Sequence, residues 1–286
     1  MKKSQRLREL ILAESTLVMP DAYDAISARI IEQAGFDAVQ CSGYSFALSL
    51  CYAKEIDVSF EENVEKTKRI VDAVGIPVMA DGEDGFGDGD VFKANIMKYI
   101  GIGAAGANIE DQNLRNEGEG KIIAESRMLE KIRCVREAAL EAGNPDFVLN
   151  ARTDALSSCD DRRKSRVIAI ERANRYLEAG ATLCFITYIS TLDELKLFAR
   201  EVRGPISVAA GVPYNITAFS VMDCCELGVA RVSLPTIAIL SVVKTLLDVM
   251  RSIRDTKRFD DLLTKEMVLS DMSVLKRLLT PSEAEG

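Results

Sequence analysis

The 286-residue sequence contains no histidine. That absence removes Ser-His-Asp and Cys-His chemistry, His-ligated zinc and any imidazole general base. Acid–base work is left to Asp, Glu, Lys, Tyr, Cys or bound water. A metal would be held by oxygen ligands, which favours Mg²⁺, Mn²⁺ or Ca²⁺. The seven cysteines include no CxxC, and only Cys224 and Cys225 adjoin. They read as small packing groups of a reduced, cytoplasmic chain. No apolar run approaches the roughly 20 residues that span a bilayer. The charged start, Met1–Glu9, lacks the apolar core of a signal peptide. The net charge is −8, from 36 Lys and Arg against 44 Asp and Glu, with no basic block. Neither nucleic acid nor an anionic membrane is expected as a partner.

What is present is an even alternation of short β-branched runs and longer amphipathic segments. Strands are expected at Leu17–Met19, Ala38–Cys41, Pro77–Ala80, Ala107–Ile109, Phe147–Asn150, Leu183–Thr187, Ile206–Ala209 and Ala230–Ser233. Helices are expected between them, for example Glu61–Val74, Ser126–Ala142 and Ile216–Leu227. Glycines 35, 75, 180 and 228 follow helical patterns as αL caps. Alternating βα units imply a parallel sheet. Eight of them predict an α/β fold of the (β/α)₈ TIM-barrel type, with a doubly wound open sheet as runner-up. Residues 1–253 would form the barrel. Residues 254–286 would be a C-terminal helical extension packed on it or on a neighbour.

In a barrel, chemistry sits at the C-terminal ends of the strands. Those ends carry Asp21, Ser42-Gly43-Tyr44-Ser45, Asp81-Gly82-Glu83-Asp84, Glu110-Asp111-Gln112, Arg152-Thr153-Asp154, Thr187-Tyr188, Val212-Pro213 and Pro235-Thr236. A single acid after a strand commonly just caps the next helix. Asp81, Glu83 and Glu110 on neighbouring strands, beside Arg152, argue instead for a divalent-cation site. Arg152 suits an anionic substrate, and equally an ion pair with Asp154 or Glu110. Ser42–Ser45 offers backbone N–H groups at a helix start, or is an ordinary turn. Gly101–Gly106 matches GxGxxG, but it follows a helix and precedes a strand, the reverse of a dinucleotide site. Cys41 ends a strand and is a candidate to line the site. Cys134, Cys224 and Cys225 read as core or surface thiols.

Met79–Asp88 (MADGEDGFGD), Gly103–Gln112 (GAAGANIEDQ) and Asn150–Ala155 (NARTDA) resemble the isocitrate lyase/phosphoenolpyruvate mutase superfamily. Met19–Ser45 and Gly228–Pro235 are similar to it too. The resemblance implies a barrel that often swaps its eighth helix to give homo-oligomers, dimers or tetramers. It implies Mg²⁺, with Mn²⁺ as a substitute, and a small 2-oxo or 2-hydroxy carboxylate. By match to a DxDxGxG motif, Asp81 is the direct metal ligand, with Glu83 in place of the second Asp and Glu110 acting mainly through water. Arg152 would hold the distal anion, and Ser42, Gly43, Tyr44 and Ser45 the carboxylate beside the oxo group. Tyr44, Glu110 and Arg152 form the expected catalytic set.

Two segments depart from the family pattern. Its Pro-Asp after strand 2 reads here Ala53-Lys54-Glu55-Ile56-Asp57; Glu55 matches best, with Lys54 and Asp57 as alternatives. The Lys-Lys/Arg-Cys-Gly-His loop of the family's C–C lyases, whose Cys donates a proton, is replaced by Gln112–Lys121, without Cys or His, and the Lys and Asn of the phosphonomutases' loop are not clearly matched either. The expected activity is a Mg²⁺-dependent lyase or decarboxylase that breaks a C–C bond and leaves a pyruvate-type enolate. The alternatives are P–C chemistry, as a phosphonopyruvate mutase or hydrolase, and a non-catalytic paralogue.

Overall fold

A computed structural model of the chain describes residues 1–114 and 120–279. The strands are β1 (Leu17–Ala22), β2 (Val39–Cys41), β3 (Val78–Asp81), β4 (Gly106–Glu110), β5 (Val148–Thr153), β6 (Leu183–Ile186), β7 (Ile206–Ala209) and β8 (Arg231–Leu234). All are parallel and pair in chain order, and β8 closes on β1 with Leu17 opposite Arg231. The expected (β/α)₈ barrel is therefore the fold; the open sheet is excluded by that closure.

The helices are α1 (Lys3–Leu12), α2 (Ala25–Gln33), α3 (Gly43–Ser49), α4 (Phe60–Ala73), α5 (Gly89–Gly101), α6 (Glu125–Glu141), α7 (Arg162–Glu178), α8 (Leu192–Glu201), α9 (Val221–Glu226), α10 (Ile237–Thr256), α11 (Asp260–Thr264) and α12 (Met272–Leu279). Helix α4 shows the local logic. Ser59 and Glu62 form a capping box, and Val64, Thr67, Ile70 and Val71 make the buried stripe. Gly35, Gly180 and Gly228 take positive φ as caps; Gly75 does not, because α4 passes directly into extended Val74. Gly101–Gly106 is the turn from α5 into β4, as its order required.

Three differences position the site. Helix α1 was not foreseen; its Leu7 and Ile11 pack with Leu17, Met19, Met79 and Val148, covering the N-terminal end of the barrel. Strand β5 runs to Thr153, past the expected Asn150, so Arg152 lies inside the strand, in register with Glu110. Helix α9 starts at Val221 rather than Ile216. The Asn215 amide donates to the carbonyls of Ile189 and Ala209 and holds the preceding residues as turns. After the barrel, α12 packs on α2. Residues 280–286 of the expected extension lie outside the described residues. No described helix is long and apolar enough to cross a membrane.

Candidate active site

A cavity of about 330 Å³ opens at the C-terminal ends of the strands. Asp81 ends β3. Glu83, two residues on, adopts φ 49°, a left-handed conformation that is strained for a residue with a side chain. The chain doubles back there, and the carboxylate turns inward against Gly43. A Cβ at position 43 would fall on that carboxylate, so Gly43 serves by leaving space.

Glu55 stands in a single 3₁₀ turn, Glu55–Asp57. One oxygen from each of Glu55, Asp81 and Glu83 lies within 4.8 Å of the others. Of the three candidates in that segment, Glu55 is the one brought to the acids. Lys54 and Asp57 are exposed, and the Lys54 N–H donates to the Asp57 carboxylate at 3.2 Å.

The N–H groups at the start of α3 already have partners. Gly43 donates to Asp81 Oδ2 at 2.8 Å. The Tyr44 N–H lies against the Glu55 carboxylate. Ser45 donates to Ser42 Oγ at 3.2 Å, as a helix cap. The group expected to cradle the substrate thus orients two of the protein's own acids. Ser42 and Tyr44 line the cavity, whereas Ser45 Oγ donates to the Pro235 carbonyl at 3.1 Å.

Burial sets the electrostatics. It pushes the Glu83 carboxyl well above the ordinary value, and Asp81, Glu55 and Glu110 add repulsion. Burial likewise raises Asp81 against the Gly43 N–H, and Glu110 against Arg152. Glu55 is pushed up to about 7, again chiefly by burial. Asp81 Oδ1, Glu83 Oε2 and Glu110 Oε1 are buried without a hydrogen-bond partner. Crowded carboxylates with orphaned oxygens are what a divalent cation would neutralise and satisfy, so these residues fit one.

Glu110 stands apart from the three grouped acids and pairs with Arg152: Oε2 is 2.6 Å from Nη1. Arg152 also grips Asp154 through Nε at 2.9 Å and Nη2 at 3.0 Å, and donates to Gln112 at 3.2 Å. The guanidinium lies over the Phe185 ring, 5.9 Å from its centroid, and forms part of the cavity wall. Both readings of Arg152 are therefore compatible: it is ion-paired, and it faces the cavity.

The profile of the phosphoenolpyruvate phosphomutase family matches residues 7–254. The chain belongs to this family. The resemblance to the isocitrate lyase/phosphoenolpyruvate mutase superfamily holds. The 2,3-dimethylmalate lyase of Eubacterium barkeri is 31% identical over 210 residues, 71% of this chain and 70% of that protein. The chloroplastic carboxyvinyl-carboxyphosphonate phosphorylmutase of Arabidopsis thaliana is 30% identical, covering 98% of this chain and 83% of that protein. A phosphonopyruvate hydrolase in complex with oxalate and Mg²⁺ has the same fold. It superposes with a TM-score of 0.85 at 24% identity, over 97% of this chain and 95% of that one.

Within this phosphomutase-family barrel, sequence reasoning left several groups unassigned. Asp21, at the end of β1, is buried at the cavity with Oδ1 unpartnered. Burial raises its pKa well above the ordinary value, against the pull of Arg231. Arg231 crosses the barrel interior and donates to Ser207 Oγ at 2.8 Å and Gln40 Oε1 at 2.7 Å. Tyr188 and Tyr214, with ring centroids 5.7 Å apart, line the same cavity, and Arg152 and Asp154 act on both. Tyr188 follows β6 and was visible as a rim residue; Tyr214 lies in a turn with no periodic signal. Asp111 is a structural tie rather than a cavity group, accepting from Thr153, Tyr176 and Arg172 at 2.7–2.8 Å.

Cys41 is a correction: it does not line the cavity. Gln40 points inward from β2, so Cys41 points outward and packs with Ala22, Ala28, Ile70 and Val71. In the Gln112–Lys121 loop, Gln112 bridges Ile122, and the Asn113 N–H donates to the Lys121 carbonyl at 2.9 Å. Residues 115–119 of that loop lie outside the described residues.

Proposed function

We propose that the chain is a Mg²⁺-dependent lyase or decarboxylase, breaking a C–C bond next to a 2-oxo or 2-hydroxy carboxylate and leaving a pyruvate-type enolate. The observation that carries this is the Glu55–Asp81–Glu83 group, with orphaned buried oxygens on Asp81 and Glu83, beside Arg152 at the cavity. Asp81 is the central ligand, oriented by the Gly43 N–H; Glu55 and Glu83 complete the set, and Mn²⁺ can replace Mg²⁺. The bound ion supplies Lewis acidity, worth several kcal/mol to a developing oxyanion. Arg152, held by Glu110 and Asp154, fixes the substrate's anionic end. Tyr44 and Ser42 contact the substrate from the rim. The protein works in the cytoplasm as a homo-oligomer. The exposed Val243, Leu246, Leu247 and Met250 of α10 support a partner for that face.

The family description and the Arabidopsis relative favour a second reading, P–C bond chemistry on a phosphonopyruvate-like substrate. The test is a parallel assay of oxaloacetate, dimethylmalate, methylisocitrate and phosphonopyruvate, with EDTA and then with Mg²⁺ or Mn²⁺. Metal-dependent turnover of oxaloacetate, exceeding that of methylisocitrate, is expected. Decarboxylation releases CO₂, which needs no proton, so the absent loop Cys is not missed. Phosphonopyruvate as the one substrate consumed would establish the second reading. Full turnover in EDTA would refute both. Metal binding without any turnover would indicate a non-catalytic paralogue.

A further inference from the structure

Asp21 is a buried cavity acid for which the metal-site reading has no use. Strand alternation turns it into the barrel: Met19, two residues earlier, meets Arg231 in the interior, with Arg231 Nε 3.2 Å from its sulfur. Asp21 lines the cavity with Ser42, Ser233 and Pro235. It lies outside the Glu55–Asp81–Glu83 group, and Gln40 of β2 stands in register beside it, between β1 and β3. Its surroundings favour a neutral carboxyl. Asp21 is 4% exposed, and Oδ1 has no hydrogen-bond partner. An ionised carboxylate left so is costly, whereas a proton removes the charge and supplies a donor. Burial, with repulsion from Asp81, outweighs the pull of Arg231 and the Leu234 N–H.

The chemistry needs such a group. Loss of CO₂ leaves an enolate whose C3 must take a proton. Histidine is absent, and no cysteine lines the cavity among the described residues. Glu55 and Asp81 serve as anionic ligands. A phenol is a roughly millionfold weaker acid than a carboxyl. Burial makes Tyr188 and Tyr214 weaker still.

We propose that Asp21 is the catalytic acid of the site, delivering its proton to C3 of the pyruvate-type enolate. This rests on reading the cavity as a 2-oxo carboxylate site that forms an enolate. The π electrons at C3 form the new C–H bond, the Asp21 O–H bond breaks, and the oxygen on C2 becomes a carbonyl. The charge left on Asp21 is balanced by Arg231, a buried cation held by Gln40 and Ser207, until water returns the proton.

Run backwards, the same step exchanges the methyl protons of pyruvate. Proton NMR of pyruvate in D₂O with saturating Mg²⁺ follows it, beside CO₂ release from oxaloacetate and calorimetric titration with oxalate. The unmodified protein should exchange. Asp21→Asn keeps the shape and should exchange about 100-fold more slowly or worse, the usual share of general acid–base catalysis. It should bind oxalate as the unmodified protein does. Its CO₂ release should fall far less, because that bond breaks before the proton is needed. If Arg231, left without its counter-charge, keeps Asp21→Asn from folding, Asp21→Asn in an Arg231→Gln background gives the same comparison against Arg231→Gln alone. Undiminished exchange, or equal falls in exchange and CO₂ release, overturns the inference and leaves the proposed function standing. So does CO₂ release without exchange in the unmodified protein. Loss of oxalate binding in a folded variant overturns it too, since Asp21 would then be a binding group. Neither exchange nor metal-dependent CO₂ release in the unmodified protein would sink both readings.

Discussion

Replacing Gly43 by Ala tests the acid group through one methyl. Gly43 opens α3 without a positive φ, so its backbone accepts Ala, and Ala is favoured in a helix by about 0.5–1 kcal/mol. The new methyl, however, would occupy the place of the Glu83 carboxylate and come within 3.5 Å of Asp81 Oδ2. Glu83 would have to leave, and the cation would keep Asp81 and Glu55 alone. Disturbing groups that orient metal ligands typically costs about 10–100-fold in affinity. Gly43→Ala should therefore bind Mg²⁺ at least about tenfold more weakly, or roughly 1.4 kcal/mol. Repacking costs about 1–3 kcal/mol, partly offset by the helix term, so the melting temperature should fall by only a few degrees. Glu83→Ala should lose similar affinity, and adding Gly43→Ala to it should cost little more, because the collision is gone. Isothermal titration with Mg²⁺ reads all three variants. A folded Gly43→Ala with unchanged affinity, or strictly additive losses, would refute the placement of Glu83.

The same cluster predicts a pH dependence. Glu83, Glu110 and Asp81 are raised by burial, and Glu55 is raised to about 7. A carboxyl with a raised folded pKa favours the fold below its unfolded value and loses that contribution as pH rises through the folded one. In EDTA, wild type should thus lose stability relative to Glu83→Gln between about pH 5 and 8, by thermal melts, while Mg²⁺ removes the trend. A wild type that gains on the variant as pH rises would contradict this. Arg152→Lys keeps the charge but cannot span Glu110, Asp154 and Gln112 together. Its kcat/KM should fall about 100-fold, as for a misplaced substrate group; an unchanged value would remove Arg152 from the site. Tyr176→Phe breaks the 2.7 Å bond to Asp111, neither residue lining the cavity. It should cost about 1–2 kcal/mol in urea unfolding with kcat retained. Iodoacetamide should modify exposed Cys51 and Cys225 without loss of turnover, since Cys41 is buried outside the cavity.

The barrel was legible because eight short apolar runs alternate with amphipathic helices, a pattern that depends on neighbours in the chain. The rim acids were legible for the same reason: Asp81, Glu83 and Glu110 stand next to strands. Arg152 was placed after β5 because its polarity reads as loop; inside a closed barrel, a strand can end in polar residues that face the cavity. Cys41 was misjudged although strand alternation decides it: with Gln40 bonded to interior Arg231, its successor points outward. What the residues could not reveal were pairings across the barrel. Gln40 and Arg231 are 191 residues apart, and the α3 N–H groups meet acids from β3 and from the Glu55 turn. Periodicity carries no information about such distant partners.

Closure of β8 on β1 also sets an order of assembly during synthesis. Asp21, Glu55, Asp81, Glu83 and Glu110 all precede Arg152 in the chain, and Arg231 comes last, with the strand that completes the ring. A nascent chain that stops before β5 holds the acids without either buried cation. Those carboxylates stay hydrated until the positive partners emerge, since burying them alone costs several kcal/mol each. The full set of charged groups around the cavity is therefore assembled only when β8 has paired with β1 and brought Arg231 into the ring.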